Sequence, residues 1–484
     1  MAFFIEWEIM TTKTPAPKSN SGWHRLLHPW FVIPVMIVVL LIAAPFMYRS
    51  YKLSIISDPG EPFDVEAFIS AHTLADTDNA LVSFRNAIGT LKGTIPGKEI
   101  GETYGILWDG TPPDARMQVA LDFVTNNEAA LLIWEKASHL PNFAELQPKT
   151  INSSSLLETT QTIRDLARMG AIRAWMASNS GNDAEAAKWL LCNLRTSRLI
   201  EQNGCIINRL VGNAIQNMTS QLIVKWLAHQ KLSQDELEQF LNDVKSIHQM
   251  TPPISDHIKM EYLMLMNSVN SFQLKTIPGS APVISNSVLQ WVFYFQGEPE
   301  LLHRVYSHCI ANNLLYVDLP KNKRPNLYAS AGKERYLFEP PSGYLFPSSQ
   351  PTPAKIDEAA QSSPLFGTAY YSIDQFMNAV DMESLRQRLL ETAIQLEIYR
   401  KINGEFPDKL AQAYLTTEEL PIDDLEPTGA VLNYVKEGPL HYRLWSVGAD
   451  GIDSGGVNLT LDREAADLGI EMIRNDSLES PEEK

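Results

Sequence analysis

The chain has 484 residues, of which 44% are hydrophobic and 20% are charged, and its formal net charge is -17. This length allows two or three domains, and the composition is that of an ordinary globular protein with a sizeable core. An acidic chain repels phosphate backbones, and the sequence has no basic stripe with interleaved aromatic residues. We therefore expect no nucleic-acid partner.

The first predicted element is a membrane helix. Residues 31–48 carry no charged side chain, and roughly 18–20 such residues span the core of a bilayer. Trp30 and Tyr48 flank this run, as aromatic residues do at membrane interfaces. A cleaved signal peptide is the alternative interpretation. The sequence predicts a cytoplasmic tail, a single transmembrane helix and a linker at residues 1–29, 30–48 and 49–63.

The charges on either side of this helix predict its orientation. Three basic residues precede it (Lys13, Lys18 and Arg25), whereas two follow it and acidic residues then dominate. The positive-inside rule favours a cytoplasmic N-terminus. We expect a single-pass protein of the bacterial inner (cytoplasmic) membrane with most of the chain on the extracytoplasmic, periplasmic side.

Residues 64–315 predict a helical domain. Asp64 is placed to cap its first helix, and Ser233 with Glu236 forms a capping box for a later one. Two helices meet at Asn179-Ser-Gly-Asn-Asp183, where Asp183 is placed to cap the second. The pair resembles one tetratricopeptide-type helical hairpin. An ordinary antiparallel helix pair explains the same pattern.

The cysteines and histidines of this domain form no metal or redox motif. Cys192 and Cys205 could bridge in an oxidising compartment, or they could be buried free thiols like Cys309. His303 and His308 are five residues apart, which places them on different faces of a helix. They are interpreted as surface histidines.

The C-terminal third has three predicted parts. Residues 316–366 are rich in proline and aromatic residues and predict an irregular segment packed on a surface. Apolar residues from Leu385 to Tyr399 lie on one helical face, and Asn403-Gly404 suits the end of that helix. This helix opens an α+β module at 367–470, and residues 471–484 predict a disordered tail.

This module carries a family resemblance. The helix followed by Gly404-Glu-Phe-Pro407-Asp-Lys-Leu410 resembles the "G-x-x-P-x-x-L" passage of type II secretion major pseudopilins. The end of the module, Ser446-Val-Gly-Ala-Asp-Gly451 and then Gly455-Gly456, resembles their closing signature. The whole arrangement also resembles a large set of planctomycete membrane-anchored proteins that carry no known activity. No glutamate lies in residues 31–48, so this chain is not expected to assemble as a pilin subunit.

The resemblance implies a calcium ion, because the matching loop of pseudopilins binds one. Asp450 and Asp453 lie in a glycine-rich turn, and Asp423 lies upstream in the segment against which that loop would fold. Calcium takes six to eight oxygen ligands from such turns. Asp450, Asp453 and Asp423 are the candidate ligands of a possible calcium site. Since Asp-Gly is also a common turn sequence, a plain turn remains the alternative.

The sequence contains no catalytic motif that we could identify. It lacks G-x-S-x-G, H-E-x-x-H, Walker A and dinucleotide-binding patterns. The expected fold is mainly α, with a transmembrane helix, a helical-hairpin ectodomain and a small C-terminal α+β module. The expected function is membrane-anchored binding or scaffolding of an envelope protein partner, with the secretion machinery as one candidate. The alternative is an envelope hydrolase or other enzyme with its site between the helical domain and segment 316–366.

Overall fold

The computed structural model describes residues 29–152, 155, 158–270, 292, 295–324, 355, 356, 358, 359, 373–414, 419–448, 451–461 and 467–474. The predicted cytoplasmic tail up to residue 28, most of segment 316–366 and the predicted C-terminal tail lie outside these residues.

The described chain is mainly helical and ends in a small antiparallel sheet. Its helices are α1 (Pro29–Ile55), α2 (Val65–His72), α3 (Ala80–Thr90), α4 (Gly97–Leu107), α5 (Ala115–Asn126), α6 (Glu128–Ala137), α7 (Glu158–Asn179), α8 (Asp183–Glu201), α9 (Ile206–Leu227), α10 (Gln234–Gln249), α11 (Ile254–Asn270), α12 (Glu298–Asn313) and α13 (Ile373–Asn403). The strands are β1 (Asn433–Gly438), β2 (His441–Ser446) and β3 (Leu468–Ile473).

Helix α1 is long and apolar enough to cross a membrane. It does not end near Tyr48, as the sequence predicts, but continues to Ile55. The extension takes up residues 49–55 of the predicted linker, and a charged residue within it has a partner in the body of the protein. Lys52 forms a buried ion pair with Glu298, the first residue of α12.

The predicted helix boundaries are largely confirmed. The carboxylate of Asp64 accepts a hydrogen bond from the backbone N–H of Ala67 at 2.9 Å, and Ser233 forms its capping box with Glu236. Helix α13 ends at Asn403, and Gly404 follows with a φ of 81°.

The predicted cap of α8 is wrong by one residue. The side chain of Asn182 caps this helix by accepting from the backbone N–H of Glu185. Asp183 is the first helical residue, and its carboxylate instead accepts hydrogen bonds from Trp226 Nε1 and from the backbone N–H of Lys231. It therefore ties the hairpin turn to the end of α9.

Helices α7, α8 and α9 pack on one another in the centre of the described chain. Gly170 lets α7 pack closely against Trp134 of α6, because a Cβ at that position would lie 2.6 Å from the ring of Trp134. The three cysteines are buried and free, so the free-thiol interpretation of Cys192 and Cys205 is confirmed. The tetratricopeptide-like character of the α7–α8 hairpin stays a prediction.

The strands form a three-stranded antiparallel sheet in the order β1-β2-β3. Tyr442 and Leu444 of β2 are buried, and β2 packs against α13. One cluster of buried apolar side chains extends from α3 to β3, so the sheet and most of the helices share a hydrophobic core.

Four buried charged side chains lock α13 onto this core. Arg198 and Glu201 come from α8, Arg209 from α9 and Glu383 from α13, and each is at most 2% exposed. Glu201 lies 3.2 Å from Arg198 and 2.8 Å from Arg209. Glu383 lies 3.0 Å from Arg209 and also contacts Arg198. The four residues form a closed ring of alternating charge, which we call the Arg–Glu ring.

The two glutamates of the ring differ electrostatically. Burial raises the pKa of Glu201 despite the two arginines. Burial also opposes ionisation of Glu383, but Arg198 and Arg209 hold its pKa below the ordinary value. Glu383 is therefore the main negative counter-charge of the two buried arginines.

We expect Glu383→Gln to lower the free energy of unfolding by about 3–5 kcal/mol, because it leaves two buried guanidinium groups short of a counter-charge. Urea unfolding of the full-length protein in detergent, followed by tryptophan fluorescence, measures this loss. The control is Glu238→Gln on the exposed face of α10, which we expect to change stability by no more than about 0.5 kcal/mol. Equal effects of the two substitutions would contradict a stabilising role for the ring.

Candidate functional site

The candidate site is a groove beside the polar face of α13. Its first part is a cleft of about 340 Å³ between α13, the turn at Thr251–Ile254 and residues 318–321. Its second part, of about 410 Å³, lies between α13, Tyr414 and residues 419–422. Pro320, Arg388 and Asp424 line both clefts. The two clefts therefore adjoin and form one elongated groove.

Helical periodicity places the groove-lining residues of α13 on one face. Asp381, Ser384, Gln387 and Arg388 line the first cleft. Glu391, Thr392 and Gln395 continue along the second. Spacings of three and four residues keep these side chains on the same side of the helix. The opposite side of α13 carries the apolar residues that the sequence identified, which are buried in the core.

Ion pairs hold most of the charged groups of the first cleft. Arg324 contacts both carboxylate oxygens of Asp381, at 2.8 and 2.9 Å, and burial raises the pKa of Asp381 despite this partner. Arg388 lies 2.6 Å from Asp424. These pairs make the walls polar and rigid rather than reactive.

The second cleft carries charges that are less fully paired. Lys245 and Lys323 line it together with Glu391 and Glu419. Glu391 is paired with His248 of α10. Both signs of charge are therefore offered along the groove, and no histidine lines either cleft among the described residues.

The location of the groove bears on the predicted enzyme site. The first cleft lies where the alternative prediction put that site, since residues 318–321 begin segment 316–366. Its carboxylates already have structural roles: Asp381 pairs with Arg324, and Asp318 accepts a hydrogen bond from the backbone N–H of Ser255 at the start of α11. The groove is thus better suited to hold a ligand than to transfer protons.

A third cleft of about 330 Å³ contains two histidines and shares Thr251, Pro252 and Pro253 with the first cleft. His72 Nε2 lies 3.4 Å from Asp256, and its hydrogen bonds to Asp256 and to the Phe68 carbonyl outweigh burial and raise its pKa. Burial lowers the pKa of His257 to about 3. Its Nδ1 lies 2.9 Å from the carbonyl of Gly204, which places the proton of the neutral ring on Nδ1. Nothing in the sequence indicates that these two histidines lie close together.

The histidines predicted at the surface lie at a packed interface instead. His308 is buried, and its Nε2 hydrogen-bonds the carbonyl of Ser57 at 3.0 Å. His303 is half-buried beside the hydroxyl of Tyr262. The surface prediction is wrong for His308 because the chain that follows α1 folds over α12.

Two of the three predicted calcium ligands have hydrogen-bonding roles. Asp423 is buried, and one of its oxygens accepts from Leu425 N–H and Ser446 O–H while the other accepts from Val447 N–H. Asp453 accepts from Trp445 Nε1 and Gly455 N–H through the same oxygen, Oδ1. Asp450 lies outside the described residues. An ion at this loop would fit Asp453, through Oδ2, better than Asp423, whose two oxygens are committed.

Sequence reasoning missed Asp467, which holds the same loop from the other side. It is buried, and its two oxygens accept hydrogen bonds from the backbone N–H groups of Ser454 and Gly456 at 3.0 and 2.8 Å. The glycine-rich turn signals unpaired N–H groups, but sequence alone does not indicate which distant carboxylate accepts from them. The described residues contain no group of three or more metal-binding side chains.

Comparisons with protein-family models, curated proteins and solved structures found no match to the chain. The resemblance to pseudopilins therefore stays a prediction, and the site must be judged on its geometry.

We expect Asp423→Asn to lower the free energy of unfolding by about 1–3 kcal/mol, because an amide group would face an N–H donor in a buried site. Urea unfolding measures the loss, and amide hydrogen exchange at Val447 should accelerate. The neighbouring substitution Asp424→Asn removes only a partly exposed ion pair and should cost less than about 1 kcal/mol. A larger effect at Asp424 than at Asp423 would contradict this assignment.

Proposed function

We propose that this chain is a membrane-anchored, extracytoplasmic binding or scaffold protein that engages a protein partner through the groove beside α13. The observation that carries the proposal is the groove itself, which runs along α13, is lined by charged and polar side chains of that helix and lies on a body fixed to an apolar helix. Helix α1 would be the single-pass anchor.

The shape and charge of the groove favour a polypeptide ligand. Each cleft has the volume of a small-molecule site, and their end-to-end arrangement suits an extended chain better than a compact metabolite. Acidic and basic side chains both line the walls, so a partner segment with both signs of charge could exchange ion pairs with them. Such complementarity provides specificity more than affinity.

The proposed location is the bacterial inner membrane, with the body on the periplasmic side. The distribution of basic residues around α1 supports this orientation through the positive-inside rule. A partner within the envelope, including a component of the secretion machinery, would then have access to the groove.

We test the groove with a photo-crosslinking amino acid in the full-length protein in its native membrane. Gln387 and Gln395 are half-buried and line the first and second clefts, and Gln118 on α5 is an exposed control. We expect a discrete protein adduct from positions 387 and 395 and none from 118. No adduct at 387 and 395, or an equal one at 118, would overturn the proposed function.

A charge reversal distinguishes the groove from general surface adhesion. Arg388→Glu places two acids side by side at the junction of the clefts, since Asp424 lies 2.6 Å from Arg388. We expect it to reduce the adduct at position 387 at least tenfold, a change of about 1.4 kcal/mol in binding. The matched control, Arg116→Glu, breaks an exposed pair with Glu102 and should leave the adduct unchanged.

We also propose a calcium ion at the loop of Asp450 and Asp453, where it would stabilise the C-terminal module. Calcium at 100 times its dissociation constant would add about 2.7 kcal/mol to the free energy of unfolding. We expect the melting temperature of the full-length protein to be higher in calcium than in EDTA, and Asp453→Asn to abolish the difference. Identical melting temperatures in calcium and EDTA would remove the ion from the proposal.

A further inference from the structure

Helix α1 contacts residues 295–298, at and just before the start of α12. These contacts follow α1 from its apolar part towards its C-terminal end. The rings of Phe46 and Phe295 lie 6.0 Å apart. Further along, a Cβ at Gly297 would lie 2.8 Å from the side chain of Arg49, and Lys52 pairs with Glu298.

Beyond these contacts, α12 also holds the end of α1. The guanidinium of Arg304 donates hydrogen bonds to the carbonyls of Leu53 and Ile56, at 2.9 and 3.0 Å. These are carbonyls that a helix end leaves without partners. The body is therefore fixed in height relative to α1, and not merely tethered to it.

The contact with Phe46 places Phe295 at the level of the uncharged residues 31–48 of α1. Phe46 lies within residues 31–48, which carry no charge, and six residues before Lys52, or about 9 Å along a helix. If α1 spans the bilayer, the ring of Phe295 lies at the depth of Phe46, below the first charged residues of the body.

Side chains near this level are exposed. Phe295 is 41% exposed, as is Val292, three residues before it in the chain. Tyr48, two residues after Phe46 in α1, is 47% exposed. Aromatic residues concentrate where hydrocarbon meets headgroups, and removing apolar area from water is favourable. These side chains are therefore more stable in contact with lipid than in contact with water.

We propose that Val292 and Phe295 form a membrane-contact surface through which the body enters the interfacial layer of the bilayer beside its own anchor. This inference rests on the anchoring role proposed for α1. The protein thus holds the membrane at two places, the spanning helix and a shallow apolar contact next to it.

The experiment places nitroxide labels on single cysteines in the full-length protein reconstituted in phosphatidylcholine–phosphatidylglycerol vesicles. The labelled positions are 40 in α1, 292 and 295 in the proposed surface, and 473 on the exposed side of β3. The three native cysteines are buried, and protein without an added cysteine gives the background. Collision rates with oxygen, which favours lipid, and with a water-soluble nickel complex are compared by electron paramagnetic resonance.

We expect positions 40, 292 and 295 to favour oxygen by at least fivefold over the nickel complex relative to position 473. If position 40 favours oxygen while 292 and 295 behave like 473, or are shielded from both reagents, the contact surface is overturned and the anchor stands. If position 40 itself behaves like 473, the anchor fails as well. Position 292 keeps the test decisive should Phe295→Cys impair folding.

Discussion

The Arg–Glu ring is the constraint on which the arrangement of the described chain depends. It removes four charges from water at a cost that only close pairing offsets, so its members tolerate little displacement. Glu201 reaches Arg209 over Gly212, where a Cβ would collide with the glutamate side chain. The ring therefore fixes α8, α9 and α13 relative to one another. Because α13 carries both the groove and the sheet, their positions follow from this buried contact.

A second buried contact secures the other end of α13. Arg474, directly after β3, bonds Glu397 of α13 and the carbonyl of Leu227 at the end of α9. It thus joins a helix end, the long helix and the sheet. With the ring near the start of α13 and Arg474 near its end, the helix is held along its length. A groove built on so rigid a wall can select a partner without first having to order itself, which lowers the entropic cost of binding.

Local features could be predicted from the sequence and long-range polar contacts could not. Each helix end that the sequence predicted correctly depends on neighbours within four residues. These are the caps at Asp64 and Ser233 and the end of α13. Arg198 and Glu201 also lie three residues apart, but that spacing is typical of an exposed helical pair. Their burial depends on Arg209 and on Glu383, which lies far along the chain. For the same reason the groove, which is assembled from at least four separated stretches, had no signature beyond the position of segment 316–366.

The contacts of α1 connect this buried network to the apolar helix and so orient the groove relative to α1. Helix α12 packs on α11, and α11 packs on α9, which contributes Arg209 to the ring. An unbroken series of packed helices therefore connects the Lys52–Glu298 pair to the wall of the groove. A flexible linker would be sufficient for a protein that only has to stay near a membrane. Here the residues directly after the apolar run continue as helix as far as Ile55, and Lys52 pairs with Glu298. If α1 spans the membrane as proposed, the groove is held at a set height above it, and a partner that is itself fixed in the membrane would be favoured over one that diffuses freely.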